Sequence, residues 1–160
     1  MKRPSNGFSL IELLIVVAII LIIAAIAIPN LLRARMQANE SSAVSSIHAI
    51  NTSQIAYSSL FPTIGFAPDL PSLGDGGTTP CPGTSAASCY LDSTLASGTK
   101  AGYTFTYTQD TSTTPSVHYT VVADPMTRGV TGQRGYYSSE SNVTRYNTTG
   151  TATSSNSPLQ

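Results

Sequence analysis

Charge is scarce in this chain. Asp, Glu, Lys and Arg make up 10% of its 160 residues, eight basic against eight acidic. There is no Lys/Arg run, no basic patch and no stripe of aromatics interleaved with charge, so no nucleic-acid partner is expected. Histidine is rarer still. His48 and His118 stand far apart in the sequence, and single histidines so separated support neither a metal site nor a catalytic triad. No nucleophile elbow, phosphate loop or HExxH motif occurs. No dense acidic cluster occurs either. Asp110, Asp124 and Glu140 would have to converge in space to hold a calcium ion. The chain therefore offers no catalytic residues, no metal ligand set and no cofactor motif, and it reads as a non-enzyme.

Cysteine is limited to Cys81 and Cys89, with Pro82, Gly83, Ser and Ala between them. Two thiols alone cannot close a structural zinc site. A disulfide stapling a short loop is one reading, and it implies an oxidising compartment; two unrelated buried thiols are the other. Glycine is missing between Phe8 and Phe61, and Pro29 is the sole proline there. A long helix is the expected result.

That stretch opens with the residues the chain is organised around. Gly7-Phe8-Ser9-Leu10-Ile11-Glu12 leads into an apolar run through Ile28, and Glu12 is the one charged residue among residues 8–28. At about 1.5 Å per residue, these 21 residues reach across a hydrocarbon core of roughly 30 Å. A carboxylate in such a run needs a partner. No Lys, Arg or His lies between Phe8 and Ile28. A cut after Gly7 would supply one, because the new Phe8 amine is protonated near neutral pH. That amine can meet Glu12 of its own helix or of a neighbour.

Lys2-Arg3, then Gly7-Phe8-Ser9-Leu10-Ile11-Glu12 and an apolar helix, resembles the signature of type IV pilins and pseudopilins. The resemblance implies cleavage between Gly7 and Phe8 by a prepilin peptidase, N-methylation of Phe8, and a role for Phe8 and Glu12 in assembly. Ser9 stands where Thr is common. Pro29 falls where such chains carry a helix-kinking proline. The likeness covers roughly the first 55 residues. It implies a homopolymer, a cytoplasmic assembly ATPase, an inner-membrane platform and a secretin as partners. It also implies a single-pass inner-membrane precursor with the C-terminus outside, then a cell-surface pilus. A type II secretion pseudopilin is the alternative. A DNA-binding competence pilin would need basic residues that are not seen, and an anchored enzyme would need a catalytic constellation. An ordinary signal peptide, cut near Ala24-Ala25-Ile26-Ala27, is a further alternative, but its apolar region would be long and would contain Glu12.

The remaining chain fits one α+β domain on a helical stem. Residues 1–7 are the leader, 8–28 the membrane and filament-core helix, and 29–61 the amphipathic half of the stem. Ala43, Ile47, Ile50, Tyr57 and Phe61 share one face. Arg35, Glu40, Ser45, Asn51 and Ser58 are expected on the opposite one, and Arg33 and Arg35 as a solvated pair. A rod of this length would measure roughly 75–80 Å and outreach a compact 100-residue globule with its radius of gyration of about 13 Å. Residues 62–101, rich in Pro and Gly, read as a long loop, with a short helix near 85–91. Residues 102–146 read as an antiparallel sheet of about four strands: 103–108, 117–123, 136–138 and 143–146. Tyr103-Thr104-Phe105-Thr106-Tyr107-Thr108 alternates strictly. The eight tyrosines suit core packing and contacts between subunits. Residues 147–160, poor in apolar residues and without periodicity, read as a flexible tail.

Overall fold

The computed structural model describes residues 9–77 and 80–159. The leader, Gly7 included, and Phe8 lie outside the described residues. The chain forms two compact units, Met1–Arg35 and Met36–Gln160. Helix α1, Leu10–Leu60, contributes residues to both.

In the first unit, every described residue from 9 to 35 is exposed except Ala24, which is half-buried. The helix is expected from its content: apolar side chains, no glycine, and one proline. It runs through Pro29, whose missing N–H removes one bond to the carbonyl four residues back. The most apolar stretch of α1 is unburied, and by length and composition it fits a membrane crossing.

In the second unit, residues 36–60 of α1 join an antiparallel sheet. Its strands are β1 (Thr99–Lys100), β2 (Tyr103–Gln109), β3 (Tyr119–Pro125), β4 (Gly135–Ser139) and β5 (Arg145–Asn147). The strands lie side by side in chain order, each beside its sequence neighbour. β2 and β3 pair from Tyr103 opposite Pro125 to Gln109 opposite Tyr119. Alternation on β2 buries Tyr103 and Phe105, half-buries Tyr107, and leaves the three threonines outside. The core joins Ala43, Ile47, Ile50 and Tyr57 of α1 to Phe105, Val121 and Tyr136 of the sheet. Fully burying one such side chain is worth about 1.5–3 kcal/mol. This core, rather than helix propensity, holds the second unit together. Gly132 lies against the Tyr103 ring, so a Cβ there would collide with it.

The α+β expectation holds, and the two-residue β1 brings the strands to five. Other expectations need correction. The second expected strand, 117–123, instead runs from Tyr119 to Pro125. Val117 and His118 lie just before the strand, where Asp110 N donates to His118 O at 3.0 Å and the Ser116 hydroxyl donates to Asp110 O at 2.8 Å. Pro125 is tolerated at the strand end because its missing N–H costs no interior bond. The short helix is not at 85–91, where Thr84 and Ala87 bridge each other. It is α2, Ser93–Ala96, capped by Asp92, whose carboxylate accepts from Leu95 N at 2.9 Å. The 62–101 connection is not all surface loop, since Ala67, Leu70, Leu73, Leu91 and Leu95 enter the core.

The two ends of this unit also differ from expectation. Glu40 and Asn51 are not on the solvent face: they are 7% and 1% exposed. Each has found partners far away in sequence. The 147–160 segment is held rather than loose. Tyr146 N donates to Ser157 O at 3.1 Å, Leu159 N donates to Thr144 O at 2.8 Å, and Ala152 is buried.

Candidate functional site

The first unit carries the residues singled out in the sequence. Ser9 and Glu12 begin the helix together. Ser9 O accepts from Glu12 N at 3.1 Å and from Leu13 N at 3.3 Å. The Ser9 N–H donates to Glu12 Oε2 at 2.9 Å. A carboxylate three residues into a helix, bonded back to the entering amide, is half of a capping box. It satisfies a backbone donor that the helix start otherwise leaves free, and it faces the positive end of the helix dipole. Glu12 thus has a partner inside its own chain. The Ser-x-x-Glu spacing carries the signal for this; the sequence reading pairs Glu12 with a Phe8 amine, of its own helix or of a neighbour, and does not include the Ser9 amide.

Apart from Glu12, residues 10–28 show only apolar surface. Leu10, Leu13, Leu14, Val17, Leu21 and Ile28 are all about half exposed or more. Soluble monomers rarely leave this much contiguous apolar surface open, and a bilayer or another chain would cover it. Arg33 and Arg35, just past it, are exposed.

The second unit holds its helix by polar as well as apolar contacts. Glu40 Oε1 accepts from the backbone amides of Gln133 at 2.8 Å and Arg134 at 3.2 Å, and Oε2 accepts from Arg134 Nε at 2.9 Å. Burial pushes the Glu40 carboxyl up. The two amides and the guanidinium outweigh it and hold the group below the ordinary glutamate value. One helical stretch further on, Asn51 Nδ2 donates to Ser138 Oγ at 2.9 Å and its Oδ1 accepts from Tyr119 OH at 3.0 Å. Gln54 Oε1 accepts from Ala67 N at 2.8 Å. These buried polar residues fix where the helix sits along the sheet.

The connection is fastened too. Cys81 and Cys89 form a disulfide, with Cα atoms 6.3 Å apart. Tyr57 OH donates to Ser85 O at 2.8 Å and Ser53 Oγ to Tyr90 O at 2.9 Å, so the stapled loop is tied to α1.

Of the remaining candidates, Asp110, His118 and Glu140 line one pocket, which Asp124 does not join. His48 is exposed on α1, whereas His118 meets Glu140 at 2.9 Å. Asp124 is engaged by Arg128 at 3.4 Å and by Thr151 at 2.8 Å, and the Asp110 carboxylate accepts from Ser112 N at 2.8 Å. Among the described residues, no group of three or more His, Cys, Asp or Glu side chains is placed to hold a metal ion.

Residues 2–28 carry the prokaryotic N-terminal methylation motif. The chain is 45% identical over 75 residues to the type IV major pilin protein PilA of Myxococcus xanthus, covering 42% of this chain and 34% of that protein. It is 66% identical over 38 residues to the type IV wide pilus major component PilA4 of Thermus thermophilus, covering 24% of this chain and 29% of that protein. The chain therefore spans about a third of the length of these curated relatives. No solved structure matches it. The similarity to the Myxococcus pilin runs over more residues than the methylation motif does, so it is more than a shared leader.

Proposed function

We propose that this chain is a structural subunit of a type IV pilus. The observation that carries the reading is the uncovered apolar face of residues 10–28 behind the Ser9–Glu12 cap, in a stretch that matches the methylation motif. The relatives it resembles are named as pilus components, which favours a surface pilus over a pseudopilus of a secretion system.

The mechanism follows from the chemistry of that face. The precursor sits in the inner membrane through residues 8–28, with the second unit outside. A prepilin peptidase cuts between Gly7 and Phe8, and the new Phe8 amine is methylated and stays cationic. Glu12 then exchanges its single bond to Ser9 N for a charge-assisted contact with a neighbour's Phe8 amine. Such a contact, formed in apolar surroundings, is stronger than its aqueous equivalent and directional enough to set register. Apolar segments of successive subunits replace lipid around one another. Pro29, which lacks one helical bond, gives the stem a place to bend as this happens. An assembly ATPase, a membrane platform and a secretin supply the work and the exit.

The test is direct. Fibres sheared from the native host are imaged by electron microscopy and their subunit is sequenced from the N-terminus. The reading expects this chain, beginning at a methylated Phe8. Fibres without the chain, or a cellular form that still begins at Met1, would sink it.

A further inference from the structure

The sequence holds four Asn-x-Ser/Thr triplets, at Asn39, Asn51, Asn142 and Asn147. Such a triplet is an acceptor for N-linked glycan wherever an exported asparagine is accessible. The structure separates the four. Asn39 Nδ2 donates to Thr131 O at 2.8 Å. Asn51 is buried, with both ends of its amide bonded. Asn147 Nδ2 donates to Thr151 O at 3.2 Å, while its Oδ1 accepts from Thr149 N at 3.0 Å. Asn142 alone is exposed with a side-chain amide that bonds to none of the described residues. It stands in the turn between β4 and β5 with φ of 59°, held there by its own backbone N–H to Ser139 O at 2.9 Å. A side chain at that turn projects from the sheet without crossing its hydrogen-bond ladder.

Thr144 supplies a second, independent observation. The triplet is read through the hydroxyl two residues after the asparagine. Thr144 is 6% exposed, and its Oγ1 is buried with no hydrogen-bond partner among the described residues. A buried hydroxyl without a partner is a cost to the fold. Valine would fill the same space without it. Recognition by an enzyme while β5 is still open would give this hydroxyl a partner that the folded state does not.

From these observations we propose that Asn142 is the acceptor for an N-linked oligosaccharide, added before the β4–β5 turn closes. This rests on the reading that the second unit is exported. The donor class is an oligosaccharide held by its anomeric carbon on a lipid pyrophosphate. Asn142 Nδ2 bonds to that carbon, the anomeric C–O bond breaks with its electron pair leaving on the lipid pyrophosphate, and Nδ2 gives up one proton. Nothing is oxidised or reduced. Once the turn closes, Thr144 is covered and the glycan stands outside the sheet.

Trypsin cuts after Arg134 and Arg145, so the peptide 135–145 contains Asn142 and none of the other three sites. Mass spectrometry of this peptide, from sheared fibres and from the membrane fraction of the native host, reads the modification with or without assembly. The expected result is a saccharide mass addition on Asn142. It should be lost in Asn142→Gln and Thr144→Val and kept in Thr144→Ser, with Thr144→Val melting no lower than the parent. An unmodified peptide from chains that begin at Phe8 overturns this proposal while leaving the pilus reading intact. An addition that survives in Asn142→Gln overturns it as well.

Discussion

Glu40 and Arg134 meet at 2.9 Å across a span of 94 residues, joining α1 to the start of β4. The carboxylate is almost fully buried, whereas the guanidinium is 40% exposed and also lies over the Tyr146 ring at 5.8 Å. Water reaches one partner, so the attraction between the charges is partly screened. The backbone amides of Gln133 and Arg134 on the same carboxylate are the firmer half of the arrangement.

Glu40→Ala should therefore destabilise the second unit by about 2–4 kcal/mol, because it strands buried donors. Arg134→Ala should cost less, since the amides still hold the carboxylate. Melting of the full chain in detergent micelles, followed by circular dichroism, checks the order. Equal losses in the two variants would mean that the ion pair, not the amides, dominates.

The same carboxyl gives a pH dependence with a definite sign. Its pKa in the folded chain is lowered, so its contribution is complete above the ordinary glutamate value and is lost as pH falls through the lowered one. Melting temperature of the parent should fall on acidification below about pH 4.5, the unfolded glutamate value. In Glu40→Gln that part of the slope should disappear. A Gln variant with an unchanged acid slope would place the linkage in other carboxylates.

Asn51 and Tyr119 offer a second check on how the helix is seated. Tyr119→Phe removes the donor to Asn51 Oδ1 and should cost about 1–2 kcal/mol. Combined with Asn51→Ala, the losses should be less than additive by about 0.5–1.5 kcal/mol. Full additivity would show that the two side chains act independently.

Replacing Cys81 and Cys89 together by Ser should lower stability by about 2–3 kcal/mol, the loop-closure entropy of so short a crosslink. The effect should stay local, since Ser88 N to Ser72 O and Cys89 N to Gly74 O also hold the loop. Hydrogen exchange should quicken around 81–90 and stay unchanged in β2 and β3. Exchange rising throughout the sheet would give the crosslink a global role.

Glu12 does two jobs in the proposed cycle, and glutamine separates them. Gln at this position still accepts from Ser9 N and keeps the cap, but it carries no charge. Glu12→Gln should leave the precursor membrane-inserted and cleavable, with fibre yield down at least tenfold by electron microscopy. Normal yield would mean that the cap suffices and no cross-subunit ion pair is needed. Gly7→Leu should block processing, and N-terminal sequencing that still began at Phe8 would refute the assigned cut.

The parts of this fold written in local patterns were legible from the residues. The glycine-free stretch yields α1, the Tyr/Thr alternation yields β2, and Ala43, Ile47, Ile50 and Tyr57 turn inward as their spacing demands. What escaped was decided by distant partners. Glu40 and Asn51 look solvent-facing by polarity alone, because nothing near them in sequence reveals Gln133, Arg134, Ser138 or Tyr119. The 147–160 segment looks loose by composition, yet it is fastened through backbone atoms such as Leu159 N and Ser157 O, and main-chain bonds leave no mark on side-chain identity. The Ser9–Glu12 cap is the opposite case: its signal was local and was overlooked in favour of the charge.

The sheet's strands follow one another in space as they do along the chain. Each ladder from β1 to β5 can therefore close on a segment already synthesised, with only a short loop to fix at each step, which keeps the entropy of closure small and pairing fast. For a polypeptide that emerges N-terminus first, this order of strands permits vectorial folding, in which the growing edge always waits for the next residues to arrive and never for earlier ones to be released.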